Sequence, residues 1–212
     1  PVRHIIVPGD LMIGGVFPVH AKSNSPNGDI CGNISETRGV HRVEAMLHAL
    51  DILNSELVHY KLVRLGAFIL DSCSNPAFAL NQSLDFVREL IGATSDGNAY
   101  TCQDGSQPIH YASDKKNVVA VVGGSYSSVT VQVANLLRLF RIVQVSPAST
   151  NADLSDKSRF EFFARTVPSD NFQVKAMIDI AKKFSWSYVS LLYSADEYGE
   201  LGAEAFKKEA RN

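Results

Sequence analysis

The sequence predicts an α/β fold in which parallel sheets are flanked by helices. Two observations carry that expectation. Short apolar runs alternate with helical periodicity along most of the chain, the pattern of strands joined by crossover helices. The 212 residues, 45% of them hydrophobic, are enough to supply a sizeable core.

The elements follow in order. Two apolar stretches, HIIVP and LMIGGVFPV, come first. Over residues 39–54, Val40, Val43, Leu47 and Leu50 recur at i, i+3, i+7 and i+10 and build one helix face. LGAFIL, residues 65–70, reads as a buried strand, and NPAFALNQSLDFVREL as a helix with Pro76 in its first turn. Residues 94–116 are polar, rich in Gly, Ser and Asp, and too long for an ordinary connection, which predicts a mobile or functional loop around Cys102. A strand at 118–122, a helix at 129–140, a strand at 142–145 and the apolar FEFFARTV follow. From Ser169 the alternation resumes with the helix SDNFQVKAMIDIAKKF, a strand SYVSLLYS and the helix EYGELGAEAFKKEA. In sheets of this kind ligands bind outside the carboxyl ends of the strands, so the turns after strands are the candidate sites.

Charge narrows the classes of function. Twenty basic against twenty-two acidic residues leave a net charge of -2, so no global field draws nucleic acid or an anionic membrane. No run of about eighteen apolar residues appears, and PVRHIIVPGD lacks the apolar core of a signal peptide. The segment as given reads as soluble. Cys31, Cys73 and Cys102 form no CxxC pair and stand beside no metal-type His spacing, which argues against a zinc site. The sequons NIS at Asn33 and NQS at Asn81, with the cysteines, favour an oxidising compartment and glycosylation.

The turn in VAVVGGSYSSVTVQVANLLRLF can be tested against known chemistries. A P-loop needs GxxxxGK[ST], and no lysine follows Gly123 and Gly124; a dinucleotide fingerprint fails because the glycines are adjacent. GGSYS approaches a nucleophile elbow but ends in Ser127 where that motif needs glycine, so a serine hydrolase is a weak alternative. What remains is a helix start near Ser128 with unpaired N–H groups, a positive dipole end and the Ser127 hydroxyl, a site for a small carboxylate. From the turn alone, simple capping of the helix by Ser127 or Ser128 is the favoured reading.

Two further features bear on that choice. SPAST is a second hydroxyl-rich turn after a strand, IVQV. Two such turns suit a zwitterionic amino acid, whose carboxylate takes N–H and hydroxyl donors. In RGVHR, Arg38 and Arg42 are i and i+4 and share a helix face in its first turns, where cations oppose the dipole. They either face an anion in a cleft or are solvated.

RGVHRVEAMLHALDILN, ILDSCSNPAFALNQSLDFVRE, VVGGSYSSVTVQVANLLRLF, LSDKSRFEFFARTVPSD and WSYVSLLYSADEYGE together resemble the extracellular ligand-binding domain of metabotropic glutamate receptors, class C G-protein-coupled receptors. The resemblance runs collinearly from the first strand to the last helix. It implies a type I periplasmic-binding-protein (Venus flytrap) fold, with residues 1–165 in ligand-binding lobe 1 and residues 166–212 starting lobe 2.

The resemblance also implies residue roles. Ser127 matches a serine that binds the α-carboxylate of L-glutamate, and Thr150 a threonine on the α-carboxylate and α-amino group, with Ala148 and Ser149 adding backbone groups. Arg42 matches the arginine on the distal carboxylate, and Arg38 a supporting arginine. Asp170 matches an acidic residue near the ammonium, and Tyr198 a tyrosine on the opposing jaw that engages on closure. Cys31 and Cys73 match an intrachain disulfide, and Cys102 the cysteine linking two protomers of a homodimer. Signalling to a heterotrimeric G protein at the plasma membrane, from an extracellular segment with no enzymatic step, cofactor or metal, follows from the same likeness. Pro147 stands where vertebrate members often carry tyrosine, and SADEYGE departs from the more usual SEGDYGE type. A soluble amino-acid-binding protein of a transport system shares the fold and the grip and is the main alternative.

Overall fold

The computed structural model describes residues 4–23, 25, 28–58, 63–92 and 118–211. The expected loop at 94–116 and its Cys102 lie outside the described residues. The strands are β1 (His4–Val7), β2 (Leu11–Phe17), β3 (His20–Lys22), β4 (Cys31–Ile34), β5 (Leu65–Asp71), β6 (Val118–Gly123), β7 (Val143–Ser146) and β8 (Phe163–Arg165). The helices are α1 (His41–Val58), α2 (Pro76–Gly92), α3 (Ser127–Leu137), α4 (Asp170–Lys183) and α5 (Glu197–Glu209).

Six strands form one sheet in the order β1-β5-β2-β6-β7-β8, and β3 pairs with β4 in a separate hairpin. All neighbours in the large sheet are parallel except β1 against β5. The expected α/β class with a parallel sheet between helices is therefore observed. β5 shows why its apolar run is continuous. Ala67 and Ile69 pack under α1 with Phe17, Val43, Met46 and Leu50. Phe68 and Leu70 point the other way, toward Phe86 of α2 and Val129, Val133 and Leu137 of α3. Each such fully buried aliphatic side chain contributes about 1.5–3 kcal/mol.

The chain runs from β2 to β5 on one side and then to β6 on the other, so its direction of travel across the sheet reverses beside β2. That reversal opens a crevice at the carboxyl ends of β2 and β6.

One expected element is absent. Residues 187–194 form no strand. A strand exists through its ladder partners, and among the described residues none pairs with this segment. Its side chains follow: Tyr188 is 86% and Leu192 98% exposed. The hairpin of β3 and β4, by contrast, carries no apolar alternation and was not legible.

Candidate functional site

A cleft of about 500 Å³ opens at the carboxyl ends of β2, β6 and β7, lined by Arg38, Arg42, Ser127, Ala148, Thr150 and Tyr198, together with Ser125, Tyr126, Ser128 and Asp196. Six of the eight expected ligand residues thus share one cavity. The first wall is the turn after β6. Gly123 has φ +113, and a Cβ there would lie 2.2 Å from the Val16 carbonyl oxygen; at Gly124 it would lie 2.6 Å from Thr130 Oγ1. Both glycines are needed for the chain to turn this close to β2 and α3.

The N-cap of α3 is Tyr126, with extended backbone and no side-chain capping bond. Ser127 is the first helical residue, so capping by Ser127 or Ser128 does not occur. The first helical bond runs from Thr130 N–H to the Tyr126 carbonyl at 2.9 Å, which leaves the earlier N–H groups without helical acceptors. Ser127 Oγ accepts from Asn151 N–H at 3.2 Å. Its own proton therefore remains to donate.

The second wall comes from α1 and the π-type turn Glu36–Val40 that leads into it. Arg38 is exposed, and its Nη1 donates to Tyr126 Oη at 3.4 Å. Arg42 is half-buried, and its Nη1 is buried without a hydrogen-bond partner. Among the described residues neither arginine has a carboxylate within 4.0 Å. An unmatched buried guanidinium nitrogen is costly unless an anion meets it.

The third wall is α5. Tyr198 Oη lies 3.2 Å from Thr150 Oγ1 and donates to Asp170 Oδ1 at 3.2 Å. Asp170 reaches the cleft only through this tyrosine; it lines a neighbouring cavity beneath α4 and α5. Asp196, also on this wall, caps α5. It accepts from Gly199 N–H at 2.8 Å and Ser194 Oγ at 2.7 Å, and those bonds hold its carboxyl below the usual aspartate value.

Ser149 is not on the cleft wall. It is fully buried; its N–H donates to Ser146 Oγ at 3.0 Å and its carbonyl accepts from Arg165 at 3.3 Å. Arg165 also donates to the Asn151 carbonyl at 2.8 Å and to Ser155 Oγ. Burial pulls the Arg165 pKa down, while the Asp170 charge pushes it back up. Sequence reasoning missed Arg165, because only the fold brings β8 beside the loop. Asp196 had a signal, an aspartate just before a helical run.

Cys31 and Cys73 form a disulfide with Cα atoms 5.0 Å apart. Beside it Asp71 accepts from His20 Nδ1 at 2.5 Å and from Cys73 N–H at 2.9 Å. His20, Asp71 and Cys73 cluster closely enough to suggest a metal site, but the disulfide occupies the sulfur. Asn33 and Asn81 are both exposed. Among the described residues no helix is long and apolar enough to cross a membrane.

The family model described as Receptor family ligand binding region matches residues 41–212. Over 212 residues the chain is 72% identical to the "Probable metabotropic glutamate receptor mgl-1" of Caenorhabditis elegans, a match covering 99% of this chain. It is 52% identical over 207 residues, 97% of the chain, to the "Metabotropic glutamate receptor" of Drosophila melanogaster. To "Metabotropic glutamate receptor 4" of Rattus norvegicus it is 48% identical over 210 residues, 99% of the chain. It spans about a fifth of the length of these curated relatives. The family fold is periplasmic-binding-protein-like, in keeping with the parallel sheet and its crevice. By that match the chain belongs to the receptor family ligand-binding regions.

Proposed function

We propose that this chain is the amino-acid-sensing part of a metabotropic glutamate receptor, with L-glutamate as its ligand. The buried, unpartnered Arg42 Nη1 in the cleft is the observation that carries the reading. It supports one anion site, and the open N–H groups of α3 with the Ser127 proton support a second. A dicarboxylate amino acid fits both. Arg42 takes the distal carboxylate with help from Arg38, Ser127 and Thr150 take the α-carboxylate, and Asp170 with Tyr198 receives the ammonium. The names of the relatives favour glutamate for that role.

In this reading residues 1–165 form lobe 1 and residues 166–212 begin lobe 2. The ligand is held without any bond being broken, so no enzymatic step or cofactor is involved. Signalling requires that the ligand bind the closed form more tightly than the open one. Closure then reorients two protomers joined through lobe 1 and Cys102 and activates a heterotrimeric G protein. The segment lies outside the plasma membrane, which the disulfide supports.

Calorimetry of the complete ligand-binding region tests the reading. L-glutamate is expected to bind, and Arg42→Ala to weaken it by about 1.5–3 kcal/mol, the range for a charge-assisted bond. Undiminished affinity in the variant refutes the arginine's role.

A further inference from the structure

Behind the cleft lies a group of buried polar side chains that contact no cleft space. Thr130, Ser146 and Ser149 are each 0% exposed and Gln144 1%. Three of their hydroxyls converge on the Gly124 carbonyl oxygen: Ser146 Oγ at 2.8 Å, Ser149 Oγ at 3.1 Å and Thr130 Oγ1 at 3.2 Å. Gln144 Nε2 holds the preceding carbonyl, that of Gly123, at 2.8 Å. Thr130 and Ser149 are themselves 2.6 Å apart, so one of the two donates to the other and the pair keeps a single proton for Gly124 beside that of Ser146.

Ser146 is the centre of this group. While its proton goes to Gly124, its oxygen accepts from Ser149 N–H at 3.0 Å and from Ala148 N–H at 3.3 Å. One hydroxyl thus ties the turn that carries Ser127 to the loop that carries Thr150. Ser146 and Gln144 lie on the same face of β7, and each spends its side-chain donor on a carbonyl of the turn after β6, as buried polar groups must be paired.

We propose that Ser146 is a positioning residue for the α-carboxylate subsite, setting the distance between the two gripping turns and strengthening their donors. The inference rests on the amino-acid reading of the cleft given above. Its electrostatic part follows from the peptide unit: the Gly124 carbonyl and the Ser125 N–H belong to the same amide. Donors on the oxygen polarise that amide and make the N–H a stronger donor. Ser125 lines the cleft. Carbonyl groups next to an anion site would repel the anion, and here the Gly123 and Gly124 carbonyls are turned inward and neutralised by side-chain donors.

The test measures selectivity as well as affinity, in the full-length protein. Two ligands are compared, L-glutamate and L-isoglutamine, which has an amide in place of the α-carboxylate. Ser146→Ala is expected to weaken L-glutamate about 10-fold or more and to lower the preference for L-glutamate over L-isoglutamine. Ser146→Thr, which keeps the hydroxyl, is expected to retain the wild-type preference even if fewer folded sites are recovered. A loss of folding alone reduces the number of sites for both ligands and leaves their ratio unchanged, so a wild-type ratio in Ser146→Ala overturns the proposal. If that variant does not fold, Ser146→Cys, whose thiol is a weaker donor than the hydroxyl, takes its place. It should lower the ratio in the same direction by a smaller factor, and an unchanged ratio there is equally fatal. Absence of L-glutamate binding in the wild type overturns the amino-acid reading itself, and this inference with it.

Discussion

The hydroxyl of Tyr198 lies 3.2 Å from that of Thr150, 48 residues earlier in the chain, and donates at the same time to Asp170. One phenol oxygen thus joins α5, the loop after β7 and the start of α4 at the edge of the cleft. Tyr198→Phe keeps the ring and deletes only this bridge. Loss of a bond to a charged acceptor is worth about 1.5–3 kcal/mol, and Tyr198 is partly exposed, which favours the low end. Glutamate affinity measured by calorimetry should therefore fall by up to about 10-fold, and the thermal midpoint should fall with it, because the bridge is present without ligand. A variant that binds as the wild type does would mean the bridge has no part in holding the ligand.

The two arginines should behave differently although they are four residues apart. Arg38 is exposed and already donates to Tyr126, so its charge is screened by solvent and salt. Arg42 carries the buried, unmatched nitrogen. Arg38→Ala should cost about 0.2–1 kcal/mol of ligand affinity at low ionic strength and less as salt rises, whereas the Arg42→Ala loss should persist. Titrations at two salt concentrations separate them, and equal, equally salt-sensitive losses would contradict the burial argument.

Much of this site was legible before the fold was known, and the reason differs by residue. Ser127 and Thr150 follow strands, and strand ends in parallel sheets are where ligands collect. The helical spacing of Arg38 and Arg42 fixed their shared face. The cluster of hydroxyls around the Gly124 carbonyl was not legible, because Thr130, Ser146 and Ser149 meet only after β6 and β7 pair. The SYVSLLYS strand failed for the converse reason: its β propensity is real, but a ladder needs a partner. The family likeness, for its part, supplied Asp170 and Tyr198, which no spacing rule connects.

The disulfide should be a major term in the stability of this region. Cys31 and Cys73 are 42 residues apart, and closing a loop of that length removes roughly 4 kcal/mol of chain entropy from the unfolded state. Replacing both with alanine should lower unfolding stability by up to that amount in urea titrations. The His20–Asp71 pair still tethers β3 to β5 when the bridge is gone, so a folded, weakened protein is the expected outcome. A midpoint that does not move in the double variant would contradict the estimate.

Asp196 makes a prediction about acid. Its carboxyl is held below the ordinary value of 3.8, first by the Gly199 N–H and then by the Ser194 hydroxyl. A depressed folded-state value means that the ionised cap stabilises α5 fully above the unfolded value and loses that contribution as pH falls through the folded one. The start of α5, and Tyr198 with it, should therefore loosen only below pH 3.8. Asp196→Asn keeps a capping oxygen but has no proton to gain, so the step should vanish while the helix remains. Asp156, lowered chiefly by the Ser158 hydroxyl, leaves a second acid-dependent contribution of the same sign elsewhere. The amide signal of Gly199, followed by NMR from about pH 5 to about pH 2, reads the cap directly. Identical titration of that signal in the wild type and in Asp196→Asn would show that the Asp196 carboxylate is not what holds the helix end.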